Sequence, residues 1–512
     1  MKRITAFFLL AALLCGLLTG CATEEPPFVP TGDALDDGSA TTAPRQDENQ
    51  ELTLTYYPDR SLNPYNCMDY TNRVLFSLLY QGLFTIDPAQ QAQPVLCERY
   101  TVSEDSKTYT FYLCRAWFAD GTAVTAEDVV QSLNAAKKGS YYGSRFRHIK
   151  SIQSQDGAVV IRLSLPMENL PLLLDIPIVK AAETATEAPM GTGPYQLETL
   201  AAGKQLRRQA AWWCKAACVA SAPTIALEEA VSISQIRDSF EFGDLDLVCA
   251  DHGNDSYVDY RCDYEIWGCE TGMMLYLVCH TDSWLFHDVS VRKALTHAID
   301  RSVLVEDFYR GFATAATLPA DPGSPYYNTK LALRYGYDGT AFEAALANGE
   351  VPEEEMAILA VNADDARRVR VAEWIAETLR GYGLQIKVEK VPQKDFAKFL
   401  EEGEFDLYLG QTKLSPNMDL SAFFADGGSL SYGGLADDTL YYMNQEALAN
   451  SGNYYNLHEQ IMENGNLIPL VFRGYAVYAS RGVVTALTPA RDNLFYYNTG
   501  RTLKDAFATE YN

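Results

Sequence analysis

The stretch from Met356 to Gly410 restricts the fold more than any other part of the sequence, because its hydrophobic pattern switches repeatedly between strand and helix periods. An apolar strand (Met356 to Val361) leads into a helix (Asp364 to Arg380) with Val369, Ala372, Ile375, Ala376 and Leu379 on one side. Gly381 and Gly383 stop that helix. Leu384, Ile386 and Val388 then alternate as in a strand, Lys394 to Glu402 reads as a short helix, and Phe405 to Leu409 as a third strand. A β-α-β-α-β order with right-handed crossovers lays three strands parallel in one helix-covered sheet. The fold class is therefore α/β.

The rest of the chain carries further signals of mixed structure. Leu52 to Tyr57 alternates as a strand, Asn63-Pro64 turns the chain, and Arg73 to Leu79 reads as helical. Strands are expected at Lys107 to Leu113 and Val159 to Leu165, with a turn at Asp156-Gly157. Between them a helix begins at Thr125, with Asp128 in the capping-box position and Lys137-Lys138-Gly139 as its basic last turn and stop. A second long helical region spans Asp288 to Gly311, with Val291, Ala294, Leu295, Ala298 and Ile299 on one face. At 512 residues, 47% of them hydrophobic, the chain is long enough for two or three domains with full cores.

Lys2 and Arg3 precede an apolar run from Ile4 to Leu18 that is short for a membrane span and reads as a secretory signal. Its end, Leu18-Thr19-Gly20-Cys21, resembles a bacterial lipobox. That resemblance implies cleavage after residue 20, a diacylglyceryl group on Cys21 and attachment to the cell membrane from outside the cytoplasm. Residues 21–50 are Pro-, Thr- and acid-rich with few aliphatics, and are expected to be a disordered tether. The formal charge of −26 argues against nucleic acid and anionic lipid surfaces as partners. Of eleven cysteines, nine remain after Cys15 and Cys21, and an odd number cannot all pair. Cys249, Cys279 and Cys114 sit in apolar runs as small buried hydrophobes. Cys214/Cys218 and Cys262/Cys269 are left open as disulfides or metal ligands, although no CxxC supports zinc.

Catalytic devices are sparse. Gly191-Thr-Gly-Pro-Tyr195 resembles half of a dinucleotide loop, but Pro194 and Gln196 remove the helix start that would hold a pyrophosphate. No GxSxG, Walker or HExxH pattern occurs; His458-Glu459 is followed by Met462 where a second histidine would be required. Neither a cofactor nor a metal is expected.

Several separated segments resemble the family 5 extracellular solute-binding proteins that serve oligopeptide, dipeptide and nickel ABC importers. They are Leu62-Asn-Pro64 with Leu79-Tyr-Gln-Gly-Leu83, and Thr108-Tyr-Thr-Phe-Tyr-Leu113 with Phe118-Ala-Asp-Gly-Thr122 and Thr125-Ala-Glu-Asp-Val129. Met190-Gly-Thr-Gly-Pro-Tyr195, Val291-Arg-Lys-Ala-Leu295 with Ala298-Ile-Asp-Arg301, and Asn466-Leu-Ile-Pro-Leu470 continue the series in the family's order. The resemblance implies a two-lobed, periplasmic-binding-protein-like fold of the hinged type II kind, with an extra subdomain in lobe I. Lobe I would comprise 51–275 and 480–512, the extra subdomain about 85–180, and lobe II 276–479. It further implies a monomer that binds a peptide or similar small polar solute without catalysis, working with ABC permease and ATPase subunits.

Peptide-binding relatives hold the terminal ammonium with an aspartate after lobe II's last parallel strand, often in an Asp-x-x-Asp-Pro context. The matching stretch here is Gln411 to Leu420, where Ser415-Pro416 replaces Asp-Pro and the nearest carboxylate is Asp419. His280 and Trp284-Leu285-Phe286 are further departures. A buried ammonium needs a carboxylate partner, which makes Asp419 and Asp69 the candidates. Tyr70, Gln411, Thr412 and Ser415 are expected to hydrogen-bond the solute, Met273 and Met274 to form an adaptable apolar wall, and Asp406 to be structural. Other readings are a signalling-peptide receptor without import, a nickel or metal-chelate binding protein and, last, an extracytoplasmic hydrolase.

Overall fold

A computed structural model describes residues 52–214, 216, 220–251, 260–349, 355–484 and 487–508. The signal, Cys21, the tether and Cys218 lie outside the described residues.

The β-α-β-α-β unit forms as its pattern dictates. Met356–Asn362 lies between Gln385–Val391 and Leu407–Lys413, parallel to both. The helix between the first two strands spans Ala366–Gly381; Asp365 caps it through Arg368 N, and Val371, Ala372, Ile375, Ala376 and Leu379 are buried. The second helix is Gln393–Glu402.

Two long strands, Tyr264–Cys279 and Leu467–Ser480, extend this sheet antiparallel and pair with each other along their length. The late half of Tyr264–Cys279 also pairs with Leu407–Lys413, whereas the late half of Leu467–Ser480 pairs with Leu247–Ala250. The strand period of two sorts side chains onto opposite faces. Leu275, Leu277 and Cys279 join one core, with Leu359, Leu407 and the Ala366–Gly381 helix, while Met274, Tyr276 and Val278 join another, with Tyr408 and Phe423. The sheet centre is thus buried on both faces, which explains its continuous apolar runs.

The long ribbon changes register between Glu270 and Met273, where Gly272 adopts φ 69°. This is a β-bulge, which bends the strand and re-aims the side chains around it. Thr271 Oγ1 donates to Arg473 O across the bulge at 2.5 Å.

The N-terminal part builds two four-stranded sheets. In the first, Leu52–Tyr56 runs parallel to Thr224–Glu229, with Gly203–Arg208 and Tyr195–Leu200 antiparallel beyond it. The second is an antiparallel sheet of Cys97–Val102, Thr108–Leu113, Ala158–Leu163 and Ile149–Gln155. Helix Ala126–Lys138 packs on it, and its capping box closes as expected: Asp128 N donates to Thr125 Oγ1 at 3.3 Å and Thr125 N to Asp128 Oδ2 at 2.9 Å.

Two expectations need correction. The helix expected over Arg73 to Leu79 is two single turns, Tyr70–Arg73 and Phe76–Leu79, the first started by Asp69. The Asp288 to Gly311 helix stops at Ala298 and restarts after Asp300, whose carboxylate caps Ser302 N. At the break Ile299 is extended, and the buried Arg301 guanidinium donates to Thr296 O, Ala316 O and Pro469 O. Of the readings left open for the cysteines, Cys262 and Cys269 are free thiols, and Cys269 Sγ contacts Ala490 O at 3.4 Å. No helix among the described residues is long and apolar enough to cross a membrane.

Two glycines separate backbone strain from packing. Both Gly157 (φ 78°) and Gly272 (φ 69°) are left-handed. A Cβ at Gly157 meets nothing within 4 Å, but at Gly272 it falls 2.0 Å from Nη2 of Arg491, a residue only 3% exposed that would have to give up its bond to Leu414 O to make room. Gly157→Ala is expected to cost about 1 kcal/mol in urea denaturation, and Gly272→Ala roughly 2 kcal/mol more.

Candidate functional site

Two adjoining cavities open where the bulged ribbon meets the loops and helical turns of the N-terminal part. The first, about 340 Å³, is walled by Tyr70, Tyr141, Met273, Thr412, Lys413, Ser415 and Asp419, with Tyr475 and Asp492 from the end of the chain. The second, about 290 Å³, lies against Asp69, Arg237, Asp251 and Tyr260. Met68, Tyr70 and Tyr475 belong to both. Tyr70 and Tyr475 stack face to face, with centroids 3.6 Å apart and planes 11° apart, and form the partition. Burial holds both phenols well above their ordinary range, so the partition is uncharged at neutral pH.

Each wall residue is placed by local structure. Asp69 starts a helical turn by accepting from Asn72 N at 3.2 Å, which sets Tyr70 beside the ribbon. Met273 follows the bulge. Thr412 and Lys413 end the last parallel strand, in the position where open α/β sheets bind ligands.

The first cavity is rich in cations. Lys413 Nζ lies 2.6 Å from Asp492 Oδ2 and donates to Tyr141 OH at 2.6 Å. Burial pushes its ammonium down to about 8, with Asp492 pulling the other way. The Arg73 guanidinium stands 3.2 Å from the Tyr141 ring centroid and donates to Pro64 O, Cys67 O and Tyr142 OH. Arg147 is exposed at the rim.

Asp419 is committed within the protein. Its Oδ1 accepts from Ser421 N at 2.8 Å, Ser421 Oγ at 2.6 Å and Asn444 Nδ2 at 2.9 Å, and its Oδ2 lies 3.2 Å from His148 Nε2. Burial alone would raise its pKa, but His148, Ser421 and Asn444 together hold it at about 2. Ser421 Oγ is also 3.2 Å from His148 Nε2. In a nucleophilic triad the imidazole joins acid and serine through different nitrogens. Here both contact the same nitrogen, so this trio has no relay geometry.

Of the residues expected at the site, Tyr70, Met273, Thr412, Ser415 and Asp419 come together around the first cavity. Asp69 lines only the second, and its Oδ2 is paired with Arg60. Gln411 lines neither cavity; its Oε1 accepts from Arg473 Nη1 at 2.6 Å, and Arg473 Nη2 in turn meets both oxygens of Asp251. Met274 is fully buried. Asp406 is structural as expected, accepting from Ser283 Oγ at 2.5 Å and Ile358 N at 2.8 Å. Neither carboxylate proposed for an ammonium stands unpaired in the cavity. Arg73, Tyr141, Tyr475 and Asp492 escaped the sequence reading because nothing local marks them and they meet only through folding. Among the described residues no group of three or more His, Cys, Asp or Glu side chains could hold a metal ion.

The family described as bacterial extracellular solute-binding proteins, family 5 middle, matches residues 91–430 of the chain. The glutathione-binding protein GsiB of Shigella flexneri is 26% identical over 289 residues, covering 52% of this chain and 55% of that protein. GsiB of Escherichia coli (strain K12) is 25% identical over 289 residues with the same coverage. The chain thus spans about half the length of the curated relatives it matches. Among solved structures, the ABC transporter substrate-binding protein CtaP of Listeria monocytogenes matches with TM-score 0.71 at 15% identity, over 91% of this chain and 100% of that one. NikA from Brucella suis in complex with Fe(III)-EDTA matches with TM-score 0.70 at 18% identity, over 88% and 100%. AppA from Bacillus subtilis in complex with a nonapeptide matches with TM-score 0.59 at 19% identity, over 87% and 97%. These likenesses establish the two-lobed, periplasmic-binding-protein-like α/β fold.

The commitment of Asp419 has a pH signature. Its folded pKa of about 2 lies below the ordinary 3.8, so its stabilisation is present above pH 3.8 and is lost as pH falls through 2. Asp419→Asn is expected to be about 2–3 kcal/mol less stable than wild type at neutral pH. In urea melts that gap should shrink between about pH 4 and pH 2; a gap that stays constant would refute the assignment.

Proposed function

The chain belongs to the family 5 bacterial extracellular solute-binding proteins, and on that premise we propose that it is the substrate-capturing component of an ABC importer, closing two lobes around a peptide or similar small polar solute. The observation that carries this reading is the cavity of about 340 Å³ whose walls come from separate parts of the chain joined by the bulged ribbon. In this reading lobe I is 51–275 with 480–512 and carries the subdomain near 85–180, and lobe II is 276–479. Both boundaries then fall in the ribbon or at its end, where a small change in bend moves one lobe against the other. The solute makes no covalent change; its binding energy favours the closed arrangement in proportion to its preference for it.

Tyr70, Met273, Thr412 and Ser415 contact the solute, while Asp419 and Asp69 position the wall and Gln411 supports it through Arg473. With Asp69 and Asp419 engaged and Lys413 paired with Asp492, Arg73 and Arg147 are the cavity cations without a carboxylate partner among the described residues, so a solute carrying carboxylates is favoured over one offering only an ammonium. The relatives named for binding glutathione make an acidic short peptide the first candidate. An anionic metal chelate is the second, because the same cations suit its carboxylates and NikA is described with Fe(III)-EDTA. The N-terminal residues support secretion and lipid attachment at Cys21, placing a monomer outside the cytoplasm where permease and ATPase subunits complete the importer.

Isothermal titration of the purified protein with glutathione, neutral and acidic di- to pentapeptides, and Fe(III)-EDTA tests the proposal. At least one acidic peptide is expected to bind with a dissociation constant near or below about 1 μM. Lys413→Met should weaken it about tenfold or more. Absence of binding across the panel, with no solute retained in native mass spectra, would reject the reading.

A further inference from the structure

Behind the solute cavity lies a smaller one of about 80 Å³ that shares Arg73, Tyr141 and Asp492 with it. A single water needs only about 10–15 Å³ on this measure, so the space suits a halide or a small carboxylate.

Its wall holds an unbalanced positive charge. Arg145 is neutralised by Asp175, and Lys413 by Asp492. Arg73 and Arg491, 8% and 3% exposed, have no carboxylate partner among the described residues. Arg491 donates through Nη2 to Leu414 O, but its Nε and Nη1 have no hydrogen-bond partner. The Oδ1 of Asn493, on the same wall, is also without one, while its Nδ2 sits 3.4 Å from Thr85 Oγ1. The two ends of an amide exchange by a half-turn, so Asn493 can present N–H donors to the cavity.

Arg491 is held in place by the bulge. Its guanidinium lies over Gly272, where any Cβ would fall within 2.2 Å of Cζ. The Glu270 carboxyl also feels Arg491, but it takes its hydrogen bond from Gln90 Nε2 at 3.0 Å, and burial with the nearby Asp321 pushes it up to about 7. It is therefore an incomplete counter-charge at neutral pH. An unpaired buried guanidinium is costly, and a hydrogen-bonded anion offsets that cost.

We propose that this smaller cavity is a binding site for a small free monovalent anion, a halide or a formate-sized carboxylate, held by Arg491 and Asn493 and separate from the transported solute. Because no transported molecule takes part, its test is independent of the solute titrations.

The probe is bromide, added to protein prepared in gluconate buffer. The unfolding temperature should rise saturably with bromide, and bromide-soaked crystals should show an anomalous peak within hydrogen-bond reach of Arg491. Arg491→Gln should abolish the saturable rise. Should that variant fail to fold, Asn493→Leu is expected to weaken bromide about tenfold. Formate competing with bromide would place carboxylates in the accepted class; its failure to compete would restrict the site to halides. No saturable shift in wild type, or a peak seen only at crystal soaking concentrations, would overturn the proposal.

Discussion

The structure depends on one backbone-paired ribbon. Tyr264–Cys279 and Leu467–Ser480 run beside each other from the short Leu247–Ala250 edge into the parallel sheet, so a single hydrogen-bonded ladder serves both halves of the molecule. A ladder is stiff along its strands and bends where its register slips. The slip falls between Glu270 and Met273, within a few residues of the cavity walls, and Gly272 is the residue that permits it. The same bulge sets Met273 in the first cavity and seats Arg491, which lines the smallest one, over Gly272.

Electrostatics divide the surface from the interior. The chain carries a formal charge of −26, yet Arg73, Lys413 and Arg147 converge on one cavity. An acidic chain can thus still present a local group of cations to one cavity. Asp419, one of the two carboxylates expected to meet an ammonium, instead ties His148 to Ser421 and Asn444. A carboxylate serving four contacts already has little capacity left for a ligand.

The parts that could be read in advance are those written in local periodicity. The Met356 to Gly410 alternation and the Thr125–Asp128 capping box follow from patterns within a few tens of residues, whereas Tyr70, Met273, Thr412, Ser415 and Asp419 are reached through an ordered series of motifs spread over the chain. The parts that could not are set by long-range pairing. Nothing near Tyr475 announces a stack on Tyr70, nor does anything near Asp492 announce Lys413. Asp69 and Gln411 illustrate the converse: each sits at the correct position in the chain, but Arg60 and Arg473 claim their side chains. Arg301, just after the break at Ala298, likewise bonds distant carbonyls that nothing near it announces.

In the proposed function the two lobes move about the ribbon when solute enters. Small-angle X-ray scattering on the protein alone and saturated with a solute it binds tests this most directly. The account predicts a smaller radius of gyration and a shorter maximum dimension in the saturated sample, with Gly272→Ala blunting the change. Superimposable profiles at full occupancy would contradict it.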